Sequence, residues 1–168
     1  RVINDVLDVS RIEAGRLELV ESRFDPSATT REACDILRPL AQAKGLEFDY
    51  ESEGAAASPV VGDEGRLRQI LLNLAGNAVK FTERGRVAVN LHAGPQEEGR
   101  IRLVFEVSDT GIGMTPSQIE TLFRPFVQAD PSSSRAQSGT GLGLHIAQQL
   151  AGLMGGEVTV TSACGAGS

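Results

Sequence analysis

Asp63-Glu64-Gly65-Arg66-Leu67-Arg68-Gln69-Ile70-Leu71-Leu72-Asn73-Leu74-Ala75-Gly76-Asn77-Ala78-Val79-Lys80-Phe81-Thr82 is the stretch on which the fold turns. Asp63 reads as an N-cap. Behind it Leu67, Ile70, Leu71, Leu74, Ala75 and Ala78 recur at i, i+3, i+4, i+7, i+8 and i+11, a full buried helical stripe. The opposite side carries Arg66, Gln69, Asn73, Asn77 and Lys80, also three and four apart. Two asparagines one turn apart and a lysine one turn later therefore share a polar stripe. An asparagine carbonyl suits Mg²⁺, which usually shares phosphate ligands, and the lysine could meet phosphate charge. Alone, such a stripe favours a solvated helix face.

Outward from this helix the elements alternate. Upstream, Leu46, Phe48 and Tyr50 alternate with Glu47, Asp49 and Glu51, a half-buried strand, and Gly54 to Pro59 reads as a surface loop. Asp25-Pro26 opens a helix reaching about Ala43, with Gly45 as punctuation. Leu17-Glu18-Leu19-Val20-Glu21 is a short strand candidate. Ile3, Leu7, Ser10, Ala14 and Leu17 form a heptad-like seam that Gly15 stops. No cap precedes Arg1, so this helix is expected to start upstream. It is either a core helix of the domain or the end of a dimerising hairpin. Downstream, Val87, Val89 and Leu91, then Ile101, Leu103, Phe105 and Val107, mark two strands, their turn carrying Gly94-Pro95 and Gly99. Thr115-Pro116 opens a helix to about Leu122. Phe123 to Ser138 lacks periodicity, as lids and linkers do. A helix with Ile146, Leu150, Leu153 and Met154 on one face ends at Gly155-Gly156, and Val158 and Val160 mark a last strand.

The 168 residues carry 16 basic and 22 acidic side chains, a net charge of -6, which argues against a nucleic-acid binder. Charged residues at 23% and hydrophobic ones at 40% give a globular balance. No apolar run approaches the roughly 20 residues of a membrane span. The first residues do not form a signal peptide. Cys34 and Cys164 are too few for a disulfide scaffold and lack metal-site spacing, so a reduced, cytoplasmic setting is expected.

Two further runs can carry chemistry. Strand parity puts Asp109 on the apolar face of Ile101, Leu103, Phe105 and Val107, where a carboxylate is costly unless it accepts hydrogen bonds. Thr110-Gly111-Ile112-Gly113 after it allows close backbone approach. The site suits a ligand amino group such as that of adenine; alone, the run favours a strand-end turn. Gly139-Thr140-Gly141-Leu142-Gly143 opens a helix whose amides and dipole attract phosphate. A Rossmann reading fails because no strand precedes it and the spacing is wrong, and a P-loop reading fails for want of a Gly-Lys pair followed by Ser or Thr. Together, an amine acceptor, a phosphate cradle and a metal-plus-lysine stripe are the parts of a Mg²⁺–ATP site.

In this order the residues resemble the catalytic, ATP-binding domain of a bacterial sensor histidine kinase. The N box resembles Asn73 to Thr82, the first glycine box Asp109 to Met114, the F box Phe123-Arg124-Pro125-Phe126, and the second glycine box Gly139 to Leu144. Val2 to Gly15 is similar to the end of the dimerisation and histidine-phosphotransfer hairpin. The Phe126-Val127-Gln128-Ala129-Asp130 run is most similar to kinases of the hybrid type. The resemblance implies an α/β two-layer sandwich, a mixed sheet with helices on one face, and nucleotide between helices and lid. It implies a division into residues 1–15, the end of the hairpin's second helix, and 16–168, the catalytic domain with its last strand missing. Asn77 would ligate Mg²⁺, Asn73 support the phosphate end, Lys80 meet phosphate, and Phe81 border base and ribose. Asp109 would accept from adenine, with Gly111, Gly113 and Met114 around it. Thr140, Gly141, Leu142 and Gly143 would cradle phosphates, Phe123 and Phe126 would anchor the lid, and Arg135 and Gln137 lie in it.

Related gyrase-group ATPases carry glutamate where Asn73 stands; asparagine is a poor general base, so the site suits phosphoryl transfer to a separate nucleophile. In the family that is a histidine on the hairpin's first helix. The only histidines here, His92 and His145, are not followed by Glu, so no catalytic residue is assigned within the chain. His92 is expected to be exposed and His145 to have a packing or surface role. The implied partners are the kinase's own dimerisation domain and a response-regulator receiver domain. The chain alone is expected to be monomeric, and the parent a homodimer compatible with a membrane anchor. A nucleotide-sensing module without phosphotransfer, a gyrase-type ATPase and a serine kinase on an anti-sigma partner are the alternatives.

Overall fold

The computed structural model describes residues 2–53, 59–127 and 140–168. The long amphipathic stretch forms helix α3, Glu64–Phe81, and Asp63 caps it by accepting from the Arg66 N–H at 2.9 Å. Before it come α1 (Val2–Glu13), β1 (Ser22–Phe24), α2 (Pro26–Ala43), β2 (Glu47–Glu53) and β3 (Val60–Gly62). After it come β4 (Arg86–Glu97), β5 (Arg100–Asp109), α4 (Pro116–Thr121) and α5 (Gly143–Leu153). The Asp25 carboxylate caps α2, accepting from Ser27 and Ala28, with Pro26 in the first turn where its missing N–H costs nothing.

The main sheet has the order β2-β4-β5, parallel between β2 and β4 and antiparallel between β4 and β5, hence mixed. Helices α2 and α3 cover one face: Cys34, Leu37, Ala41, Ala75, Ala78 and Val79 pack on Phe48, Val87 and Val89. On β5 the half-buried Ile101, Leu103, Phe105 and Val107 alternate with exposed Arg102, Val104 and Glu106, so the outer face stays open. This is the two-layer α/β sandwich expected. Leu71, Leu91, Leu142, Ile146 and Leu150 are fully buried, and each burial contributes about 2 kcal/mol.

Several local expectations need correction. Residues 17–21 form no strand; the strand is Ser22–Phe24, paired with β3. Leu17 instead packs beside Val9, Ile12 and α5. The heptad-like seam does not face the body: Ile3 is 75% exposed and Leu7 48%, while Val9 is buried against α5. The hairpin turn is not at Gly94-Pro95, which sit in a bulge between Ala93 and Gln96 where the missing proline N–H breaks no ladder bond. The turn is Glu98-Gly99, both with positive φ, the two-residue geometry that matches strand twist. Val158 and Val160 enter no strand among the described residues; alternation alone cannot make a ladder without a partner. Ser168 instead accepts from the Asp109 N–H at 2.9 Å, and an isolated bridge joins Ala163 to Gly167. His92 is partly exposed beside Glu53, 3.3 Å away. Of the loop expected at 54–59, residues 54–58 lie outside the described residues, and Pro59 is exposed and in no strand or helix.

Candidate functional site

Helix α3 is the spine that brings the three runs together. At its middle, Asn73 is buried at 8% exposure, not on a solvated face. Its amide donates to the Gly143 carbonyl at 3.0 Å, at the first turn of α5. A Cβ on Gly143 would lie 3.5 Å from the Asn73 side chain, an ordinary van der Waals contact. Asn77 and Lys80, one and two turns on, are half-buried. The Lys80 ammonium lies 4.8 Å from the Phe81 ring centroid, and burial pulls its pKa below the ordinary lysine value.

The C-terminus of α3 meets the Asp109 turn. A Cβ on Gly111 would lie 2.5 Å from the Phe81 carbonyl oxygen and 2.8 Å from Asp109 Oδ1, so this position is closed to any side chain. Asp109 Oδ1 accepts from the Gly111 N–H at 2.8 Å. Burial raises the Asp109 carboxyl above its ordinary value, and the backbone bonds from Gly111 and Ser168 oppose that only in part. Gly113 has a φ of +61°, and a Cβ there would collide with the Ala163 carbonyl. Met114 is half-buried and its N–H donates to Ser162 Oγ at 2.9 Å.

At the other end, Thr140 Oγ1 accepts from the Leu142 N–H at 3.2 Å, and Gly141 takes a φ of +68°. Among the described residues no side-chain cap bond is made at the N-cap residue of α5, Leu142. The Leu142 side chain is 1% exposed, inside the cluster with Val9, Ile70 and Ile146, which leaves its backbone as the part able to face a ligand, as a cradle of backbone amides requires. The Phe126 ring is 69% exposed, and its backbone N–H donates to the Gly141 carbonyl at 3.2 Å; the lid it was expected to anchor lies largely outside the described residues. Phe123 contributes its carbonyl, which accepts from His145 Nδ1 at 2.9 Å. Gln128, Ala129, Asp130, Arg135, Gln137 and Gly139 lie outside the described residues.

The polar stripe splits in two. Arg66 and Gln69 both bind Asp8 of α1, Arg66 Nη1 at 3.1 and 3.2 Å and Gln69 Nε2 at 2.7 Å, whereas Asn73 bonds Gly143. The Arg66 and Gln69 side chains converge on the one carboxylate of Asp8, a contact that no local spacing in the sequence marks. Lys44, which donates to three carbonyls at the end of α3, was not foreseen at all. Among the described residues no cluster of three His, Cys, Asp or Glu could hold a metal ion. The Asn77 amide oxygen is the kind of hard oxygen donor that fits Mg²⁺ when phosphate oxygens supply further ligands. Among the described residues no helix is long and apolar enough to cross a membrane.

Comparison with known proteins agrees with this geometry. Residues 62–168 match the family described as histidine kinase-, DNA gyrase B-, and HSP90-like ATPase. The chain is 41% identical over 167 residues to the sensor histidine kinase GacS of Pseudomonas protegens, covering 99% of this chain and 18% of that protein. It is 38% identical to hybrid signal transduction histidine kinase K of Dictyostelium discoideum, covering 95% of this chain and 14% of the relative. The chain thus spans less than a fifth of these relatives. Among solved structures it superimposes on full-length ShkA in complex with AMPPNP with a TM-score of 0.82 and 41% identity, covering 98% of this chain and 33% of that one. On the match over residues 62–168, and with the same fold in the superimposed structure, the chain belongs to the histidine kinase-, DNA gyrase B-, and HSP90-like ATPase family.

Proposed function

We propose that this chain binds Mg²⁺–ATP and donates the γ-phosphate to a histidine on the dimerisation domain of a two-component sensor kinase. The observation that carries this reading is the Asn73–Gly143 hydrogen bond, which joins the polar face of α3 to the glycine-opened start of α5. Asp109 Oδ1 is engaged by Gly111, and Oδ2 would accept from the adenine amino group. Gly111, Gly113 and Met114 would border the base, and Phe81 the ribose. Lys80, Thr140 and the backbone of Gly141, Leu142 and Gly143 would hold the phosphates, with the first-turn amides of α5 facing the charge. Phe126, whose N–H is bonded to Gly141, would stand at the edge of the nucleotide site. Asn77 would hold Mg²⁺, which when bound neutralises phosphate charge.

The chain's own groups then act by positioning. Asn73 presents its amide as a donor to Gly143 and offers no basic group to activate water. Water is therefore not favoured as acceptor, and transfer proceeds to a nucleophile brought by another domain, with catalysis from orientation and charge stabilisation. Residues 1–15 would be the end of that domain's second helix and 16–168 the catalytic part. The partners would be the kinase's own dimerisation domain and a receiver domain. The site would work in the cytoplasm within a homodimeric, membrane-compatible parent, while the chain alone would be monomeric.

The test is to incubate the chain with γ-labelled ATP, Mg²⁺ and a separately purified hairpin domain of the same parent. Acid-labile label on the hairpin histidine is expected. Tight ATP binding without any transfer would overturn the reading.

A further inference from the structure

Lys44 ends α2 and reaches across to the end of α3. Its ammonium donates to the carbonyls of Val79 at 2.7 Å, Lys80 at 2.8 Å and Thr82 at 2.9 Å. An ammonium has three donors, and here all three are engaged. The last carbonyls of a helix lack intrahelical partners and carry the negative end of its dipole, so a cation is suited to that place. The base of the lysine stem is itself fixed. The Lys44 N–H donates to the Ala41 carbonyl and the Gly45 N–H to Gln42, while Gly45 takes a φ of +69°, reversing the chain into β2.

The turn held in this way is the one that carries Lys80 and Phe81. Phe81 lies between the clamped carbonyls, and its own carbonyl faces the Asp109 turn instead. It accepts from the Ile112 N–H at 3.4 Å and stands so close to Gly111 that no Cβ fits between them. A small rotation of the last turn of α3 would therefore move the Phe81 carbonyl against Gly111 and, through the Gly111 N–H, against the Asp109 carboxylate.

We propose that Lys44 is a positioning residue: by clamping the last turn of α3 it sets the place of the Asp109–Ile112 turn and hence the base end of the nucleotide site, without touching nucleotide. This rests on the ATP reading. The experiment uses the whole 168-residue chain with Lys44→Met, which keeps the apolar stem and loses every donor, and Lys44→Arg, which keeps charge and donors. Two quantities are read on the folded protein: the affinity for Mg²⁺–ATP, and the amide resonances of Thr82, Gly111 and Ile112 against those of Leu144 and Ile146.

Lys44→Met is expected to weaken ATP binding by about five- to ten-fold, a loss near one decade in affinity. It should also shift the Thr82, Gly111 and Ile112 resonances while leaving Leu144 and Ile146 in place. Lys44→Arg should recover most of the affinity. A lower melting temperature for Lys44→Met with unchanged affinity and unmoved Gly111 and Ile112 resonances would refute the proposal and leave a plain helix cap. Should Lys44→Met not fold, Lys44→Gln, with two donors and no charge, is judged by the same readings. If the unaltered chain binds no ATP, the nucleotide reading fails, while the resonances at Gly111 and Ile112 still decide whether the clamp positions that turn.

Discussion

Replacing Asp8 by alanine removes the polar join between α1 and α3. The Asp8 side chain is 13% exposed and that of Arg66 23%, so the pair lies nearer the buried than the exposed case. Exposed pairs are worth about 0.2–1 kcal/mol. A hydrogen bond to a charged group is worth about 1.5–3 kcal/mol net. Asp8 accepts from both Arg66 Nη1 and Gln69 Nε2, and Arg66 retains Gln69 Oε1 at 2.8 Å when the carboxylate is lost. That residual bond lowers the cost, giving about 2 kcal/mol for Asp8→Ala. A double-mutant cycle with Arg66→Ala should return a coupling of about 1–2 kcal/mol. The assay is amide hydrogen exchange of α1 in the whole chain, because α1 can open without the rest. A 2 kcal/mol loss lowers protection in α1 by about 30-fold, while the amides of β4 stay slow. A coupling below about 0.5 kcal/mol, or unchanged α1 protection, would show that Val9 and Ile12 alone dock the helix and that the ion pair is incidental.

Four further outcomes follow from three substitutions at the site. Asp109→Asn keeps an acceptor for the Gly111 N–H but removes the carboxylate; ATP affinity should fall by at least about ten-fold in calorimetry. Because burial raises the Asp109 pKa in the folded chain, ionising it costs stability as pH rises from the unfolded value through the folded one. Thermal melts should therefore show Asp109→Asn gaining on the unaltered protein from acid to neutral pH; a relative loss would contradict the burial argument. Gly111→Ala places a methyl 2.5 Å from the Phe81 carbonyl oxygen and should destabilise urea unfolding by about 2–4 kcal/mol; a neutral result would mean that the turn stands farther from α3. Asn73→Asp sets a carboxylate against the Gly143 carbonyl it formerly bonded and should cost about 1–3 kcal/mol in the same measurement, whereas an unchanged midpoint would show the bond to be dispensable.

Much of the architecture is local and so was legible in the chain. The α3 stripe, the Asp25-Pro26 and Asp63 caps and the Thr115-Pro116 start depend on residues within one or two turns of each other. Gly111 and Gly113 were marked as places of close approach because backbone crowding is the main reason to omit a side chain. The alternation of β5 likewise placed Asp109 on its half-buried face. Where the reading failed, a local pattern had a second physical solution. Val158 and Val160 alternate like a strand but find no ladder, and Gly94-Pro95 has turn chemistry but forms a bulge. The seam of α1 is apolar, yet Ile3 and Leu7 face outward while Val9 faces α5.

By itself, then, the sequence determined the long helices, the caps of α2 and α3, the strands β2, β4 and β5 and the order of the four runs, and the resemblance those runs carry implied the mixed two-layer arrangement. The tertiary structure decided which side chains meet. Asn73 reaches Gly143 across 70 residues, Arg66 reaches Asp8 across 58, and Lys44 reaches Val79 across 35. The physical reason is range. Helical and strand periodicity report which face of an element is apolar. Whether an asparagine or arginine on the polar face meets solvent, a ligand or another helix depends on which element packs against it, and that is settled only when distant parts of the chain come together.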